Sequence, residues 1–279
     1  MGSQFSKVLR SAAVLGCLGS FLYFNSPSLS QADETESRTF NTPRFTLYFD
    51  YARTQESDDG IFTQNIADRA IDILNRTADE YGRIFGDRPL NKIVLKFLSP
   101  EQFRRQTGAP AWTSAMFYRG EISIPVVKSK GINFNELHRA LRHEYVHAVI
   151  AELSDFRCPA WLDEGVAQML EGQANPLLGP ALRSWIKEND AMPLDWLQNG
   201  FTTLESKIVP AAYAESLFAT RTLVSVYGFP AVVTYLKALK VGLAETESFE
   251  LAFGIDKAKF EEGLTKQIKL WSDSDALHP

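Results

Sequence analysis

One helix whose second half is apolar on most sides, and which carries two histidines and a glutamate in sequence, constrains this chain more than any other feature. Asn133 stands as its N-cap, Glu136 follows three residues on, and Ile132 faces Leu137 as a hydrophobic staple. The spacing predicts a helix from residue 134 to about Leu153. Its second half, residues 145–151, is apolar on most sides, so a polar group embedded there is desolvated and needs a partner. That half begins inside the run His143-Glu144-Tyr145-Val146-His147. Four residues turn a helix by about 400°, so both imidazoles leave one face about one turn apart and can reach a single tetrahedral ion. Glu144, one step along, lies beside that face, where its carboxylate can hydrogen-bond a water on the ion without being the natural ligand. Two buried histidines that happen to be four apart are the plain alternative. In a chain of this composition that pattern with its glutamate arises by chance on the order of a few times in a thousand.

A second segment strengthens the metal reading. Pro159-Ala160-Trp161-Leu162-Asp163-Glu164-Gly165 opens another helix and puts Glu164 seventeen residues after His147. Catalytic zinc commonly takes two histidines and one carboxylate and leaves the fourth position to water. Asp163, Glu152, Asp155 and Glu171 compete for the carboxylate role. Glu152 is five residues past His147, about 140° around the helix from it, and points away from the metal. Asp163 and Glu164 differ by about 100° of rotation, so only one of them faces the ion. His138, nine residues before His147, is half a turn out of phase.

The run Leu141-Arg142-His143-Glu144-Tyr145-Val146-His147-Ala148, taken with Trp161-Leu162-Asp163-Glu164-Gly165-Val166-Ala167, resembles the gluzincin zinc metallopeptidases, and among them the bacterial peptidase-MA-like domains. The resemblance extends over residues 44 to about 240. It implies an α+β, zincin-like fold with a small mixed sheet, the metal-binding helix and a C-terminal helical subdomain. It implies one Zn2+ per chain, with His143, His147 and Glu164 as ligands. Glu144 is then the general base that takes a proton from a metal-activated water during hydrolysis of a peptide bond. Tyr213, in Ala212-Tyr213-Ala214-Glu215-Ser216, resembles the tyrosine that stabilises the oxyanion in related enzymes. A core tyrosine on an amphipathic helix fits that position equally well, and Tyr118 and Tyr145 are weaker rivals. The thermolysin subgroup has an aspartate four residues beyond its glutamate ligand. Here that position is Gln168, so a carboxylate supporting a histidine cannot be assumed.

Around these segments the pattern predicts strands at residues 45–51, 92–98 and, as a pair around Arg119-Gly120, within 114–127. Pro125 cannot donate to a ladder, so residues 121–125 are expected at the sheet edge, where an extended peptide could add as a strand. A helix with Ile66, Ala70, Ile73, Leu74, Tyr81, Ile84 and Phe85 on one stripe follows the first strand and ends near Gly86. Beyond Glu171 the chain reads as helices with frequent stops, the last capped by Asp256. The expected organisation is a signal at residues 1–32, a linker at 33–43, an α/β catalytic part at 44–175, a helical subdomain at 176–272 and a tail at 273–279.

Composition narrows the partners. A net charge of −5 and four histidines give neither the basic field of a nucleic-acid binder nor a histidine-rich metal buffer. The expected partner is a peptide or protein substrate. Two other functions fit the same residues: a catalytically inactive domain of this fold that holds a partner in its cleft, and an amidase acting on a non-peptide or cell-wall amide. Glu144 argues against the first, because a purely structural metal site has no use for a buried base.

The N-terminus reads as an export signal. Lys7 and Arg10 precede about fourteen mostly apolar residues, too few for a membrane span of roughly 18, and Ser30-Gln31-Ala32 supplies small residues for cleavage. The location expected is periplasmic or extracellular. Val14-Leu15-Gly16-Cys17 as a lipobox, Met1-Gly2 with Ser6 as a myristoylation signal, and an uncleaved anchor that would hold the protein at a membrane are the alternatives. The mature protein from its native host is therefore expected to begin at or near Asp33. Intact mass decides this: a lipid on Cys17, or residues 1–32 retained in a membrane fraction, overturns cleavage.

Overall fold

A computed structural model describes residues 38–50, 59–86, 91–110, 113–118, 120–127, 132–201 and 204–274. The expected signal at residues 1–32 lies outside them. Five strands form one mixed sheet: β1 (Arg38–Asn41), β2 (Phe45–Asp50), β3 (Ile93–Leu98), β4 (Met116–Tyr118) and β5 (Glu121–Pro125). Their spatial order is β1-β2-β3-β5-β4, with β2, β3 and β5 parallel and both outer strands antiparallel to their neighbours. On one face Phe45, Leu47 and Phe49 alternate into the core beside Ile93, Leu95, Phe97, Ile122 and Ile124. This is the period of two that the residues announce.

Three features depart from the sequence expectation. β1 lies inside the stretch read as a linker; its one large apolar residue, Phe40, gives no periodicity, and backbone pairing to β2 holds it in place. The helix α2 (Pro100–Thr107) was not anticipated, although Ser99 and Gln102 form a reciprocal capping box with bonds of 3.2 and 3.0 Å. Most relevant to the site, β5 is internal and β4 is the edge. Val126 N–H donates to Leu98 O at 2.7 Å, so alternate residues 122, 124 and 126 direct their donors toward β3. The missing donor of Pro125 thus faces the β4 side, beyond Met116, where β4 has no residue to pair with it.

The helices α1 (Asp59–Phe85) and α3 (Phe134–Ser154) pack together beside the sheet, and α4 (Ala160–Leu170) returns along α3. After α5 (Leu178–Ile186) and a short 3-10 turn at Leu194–Leu197 come α6 (Val209–Tyr227), α7 (Phe229–Lys240), α8 (Glu245–Phe253) and α9 (Lys257–Ser272). A single apolar core runs from the sheet through α3 and α4 into α6 and α7, without a break near residue 176. Lys257, almost fully buried, ties α9 to the 3-10 turn and to α8 through Asp195 at 2.7 Å and Glu245 at 2.6 Å. Among the described residues no single helix is long and apolar enough to cross a membrane.

The helices α4 and α6 approach each other closely, and the approach has a definite cause. A Cβ placed on Gly165 would stand 2.0 Å from Thr220 Oγ1 and 2.4 Å from the Ser216 carbonyl oxygen, so only glycine allows the two helices this near. Gly165→Ala must push α6 outward and is expected to destabilise by about 1–3 kcal/mol or more in urea unfolding. Gly263→Ala, on α9 with nothing within 4 Å of its Cβ, should be neutral or stabilising and serves as the control. Glu215, also on α6, is fully buried, accepts Met192 N–H at 3.0 Å, and is pushed up to about 8 by burial, with Glu261 adding to the effect. Its folded value exceeds its ordinary 4.5, so the stability it contributes is complete below about pH 4.5 and is lost as pH rises through about 8. Urea midpoints from pH 5 to 9 should fall more steeply in wild type than in Glu215→Gln, by a difference on the order of a few kcal/mol; parallel curves would refute this.

Candidate metal centre

Local sequence fixes the helix that carries the motif. Asn133 Oδ1 accepts from Asn135 and Glu136 N–H at 3.0 and 3.4 Å, and Asp155 ends α3 in the left-handed region. Asp155 and Phe156 are both left-handed, at φ 53° and 58°, which is uncommon for residues other than glycine. That tight turn reverses the chain so that α4 runs antiparallel to α3. Pro159 offers α4 no side-chain cap; Gln198 O instead receives Ala160 N–H at 3.0 Å.

Antiparallel packing brings five ionisable side chains together. His147 Nδ1 is 2.7 Å from Asp163 Oδ1, and His143 Nδ1 is 2.9 Å from Glu171 Oε2. Carboxylates at neutral pH only accept, so each Nδ1 carries a hydrogen and donates it. The opposite nitrogens converge on Glu164, whose Oε2 lies 3.3 Å from His143 Nε2 and 3.8 Å from His147 Nε2. Donor atoms of His143, His147 and Glu164 all lie within 4.8 Å of one another, and this is the group among the described residues that could hold a metal. Glu164 Oε2 is buried and has no hydrogen-bond partner. Two imidazole nitrogens and an unsatisfied carboxylate oxygen, closely grouped, are the donor set zinc favours. The residues fit the ion.

Electrostatics points the same way. Burial lowers the affinity of both imidazoles for a proton, yet the facing carboxylates outweigh it: His143 is pushed well above its ordinary value, and His147 up to about 9, mainly by Asp163. Burial pushes Glu164 up, but the two histidines and Tyr213 bring it below the usual carboxylate range. Glu144, 6% exposed, is pushed up by burial despite both histidines and Phe117 N–H, whose bond to Glu144 Oε2 is 2.5 Å.

The remaining expected residues fall into two groups. Tyr213, on α6, lies against the Glu164 carboxylate, and burial with the nearby carboxylates keeps its hydroxyl protonated. Tyr145 is in the core against Phe45 and Tyr81, and Tyr118 is exposed at the end of β4. Glu152 and Asp155 are outside the metal group, and His138 is exposed. Three contributions were not foreseen: the two carboxylates behind the histidines, Phe117 N–H on Glu144, and Gln168, whose amide donates to Glu164 O at 3.1 Å and Tyr213 O at 3.0 Å. A signal for the first existed, since Glu171 is seven residues after Glu164 and so nearly on the same helix face. The site opens into a cleft of about 640 Å3. One wall is residues 113–117, leading into and along the edge strand β4, and the other includes Phe201, Val209, Pro210 and Tyr213.

Comparison with known proteins follows from this geometry. No curated protein matches the chain. One solved structure it resembles is a variant of a two-domain M1 zinc metallopeptidase with bound L-arginine, at 15% identity and a TM-score of 0.40. The match covers 88% of this chain and 53% of that one, so the chain spans about half the length of that protein. The family model of the Peptidase MA superfamily matches residues 107–271, more than half the chain and every residue of the cluster. The chain belongs to the Peptidase MA superfamily, a gluzincin-like peptidase family.

Proposed function

We propose that this chain is a zinc-dependent peptidase with its metal on His143, His147 and Glu164. The observation that carries the reading is the convergence of both Nε2 atoms on an otherwise unpartnered Glu164 Oε2 while both Nδ1 atoms are held by carboxylates. Bound there, zinc would supply Lewis acidity toward a water molecule and a substrate carbonyl. Glu144 is the base. Phe117 N–H fixes one of its oxygens, which orients the carboxylate and leaves the other to accept a proton. Its raised proton affinity suits that task at neutral pH. Tyr213 O–H, held protonated beside Glu164, is the donor for charge developing on the carbonyl oxygen.

An extended peptide is the substrate class this cleft favours. Among the described residues β4 ends the sheet in the wall of the cleft; its outward N–H, that of Phe117, is taken by Glu144, which leaves the Phe117 carbonyl as the backbone group of β4 that faces a peptide laid beside it. The strand expected for this role, residues 121–125, lies one position inside the sheet and cannot serve. Export through the N-terminal 32 residues would bring the enzyme to substrates outside the cytoplasm.

Purified residues 33–279 should hold about one zinc per chain and cleave members of a mixed peptide library. Glu144→Gln should fold, keep its zinc and lose about 10²–10⁴-fold in turnover, the scale of a lost general base. His147→Ala and Glu164→Ala should lose the metal. Tyr213→Phe should keep it and fall by roughly 10²-fold, as for a missing oxyanion donor. Wild type and Glu144→Gln that are equally inert toward every peptide, yet retain one partner equally well, would replace the peptidase reading with that of a binding domain.

A further inference from the structure

The cleft holds a cation that neither the metal group nor the general base employs. Arg139 lines it together with the carboxylates Glu144, Asp163, Glu164 and Glu171. Each of those four faces a nitrogen of its own: Phe117 N–H for Glu144, His147 Nδ1 for Asp163, His143 Nδ1 for Glu171, and the two Nε2 atoms for Glu164. None of them depends on Arg139 alone.

Arg139 itself is far from saturated. Its Nη1 stands 3.4 and 3.5 Å from the two Glu171 oxygens, whereas a charged N–H···O bond closes to roughly 2.7–2.9 Å. A partner serving Glu171 alone would close to that distance. These are the hydrogen bonds of its side chain among the described residues, so Nε and Nη2 keep donors to offer in a planar fork that matches a carboxylate. The Arg139 side chain is 35% exposed and that of Glu171 only 3%, which puts the guanidinium on the outer, cleft side of the pair.

We infer that Arg139 determines substrate preference by receiving a carboxylate of the bound peptide, either an Asp or Glu side chain or the C-terminal carboxylate. The inference rests on the proposed peptidase reading. Arg139 is one turn before His143, about 6 Å along the axis of α3. Extended chain advances by roughly 3.3 Å per residue, so the carboxylate held by Arg139 lies roughly one to three residues from the bond cleaved at the metal site. A neutral side chain placed there would leave the guanidinium without the acceptor it can take, and a basic one would meet it as a like charge.

The test compares peptides in matched pairs, Glu against Gln at each position around a cleaved bond, every peptide being made both as the free acid and as the C-terminal amide. Cleavage by wild type, Arg139→Gln and Arg139→Glu is followed by mass spectrometry. Binding, which needs no turnover, is followed by fluorescence anisotropy on Glu144→Gln with and without Arg139→Gln. Wild type should favour the acidic member of a pair by about 10–100-fold in kcat/KM, carried mainly by KM, the scale of a hydrogen bond between charged groups. Arg139→Gln should bring that ratio to within about threefold of unity, and Arg139→Glu should turn it toward Lys over Gln at the same position. Loss of metal or of fold through Glu171 lowers both members of a pair alike, so a purely structural Arg139 leaves the ratio where it was. A preference within the Glu and Gln pairs identifies a side-chain subsite, and one between acid and amide identifies the C-terminus; either supports the inference. Equal treatment of both members by wild type, or a preference that survives in Arg139→Gln, overturns it. Should Arg139→Glu fail to fold, Arg139→Gln decides. Wild type that cleaves no peptide removes the peptidase reading, and the anisotropy ratios then decide the carboxylate site by themselves, with no binding of any peptide overturning it as well.

Discussion

The pairing of two imidazoles with three carboxylates across the α3–α4 interface is the constraint on which the rest of the structure depends. Taking a single ion out of water costs several kcal/mol, and here His143, His147, Asp163, Glu164 and Glu171 meet in a largely buried space. Such a cluster is tolerable only if every charge faces an opposite one at close range, which demands fixed helix phase and fixed helix separation. The left-handed pair Asp155 and Phe156, the Asn133 cap and the Arg142 clamp on Leu170 O all serve that register. Glu164 Oε2, buried and without a hydrogen-bond partner, is where the two Nε2 atoms converge, at 3.3 and 3.8 Å.

Chemistry enters from two further elements, each set by a local backbone requirement. On one side α6 comes close enough to α4 for Tyr213 to touch Glu164, because Gly165 presents no side chain to Ser216 and Thr220. Gln168 bridges the same two helices through the Tyr213 carbonyl. On the other side β4 is only three residues long and ends the sheet, and the N–H of its central residue, Phe117, reaches Glu144. The strand that lines the cleft therefore also holds the Glu144 carboxylate. A peptide laid on that edge would lie beside Glu144 and the histidine pair.

The cleft is acidic, with Glu144, Asp163, Glu164 and Glu171 along it, and Arg139 is the one lysine or arginine among its described lining residues. Arg139 lies four residues before His143 and so faces the same way as the motif. Its contact with Glu171 joins the cleft to the outer edge of the His143 ring. A single helix face thus carries the cleft cation, both imidazoles and, one step aside, Glu144.

Much of this was legible without coordinates because it follows from short-range periodicity. The phase of His143 and His147, the rotation of about 100° between Asp163 and Glu164 and the alternation of Phe45, Leu47 and Phe49 are all fixed by 3.6- and 2-residue repeats within one element, and the cap at Asn133 by its residue type. A capping box at Ser99 was present in the residues as well, and with it α2. What no repeat within an element could state is which elements become neighbours. Pro125 was read as an edge signal, yet a proline can end an inner strand when its missing donor faces past a shorter neighbour. Glu171 was one acidic residue among several until the antiparallel return of α4 put it on His143. Asp163, about 100° around α4 from Glu164, met His147 Nδ1 only because of that same return. The sequence alone determined which side chains share a face; the tertiary structure decided which faces meet, because helix packing and strand order depend on contacts between residues far apart in the chain.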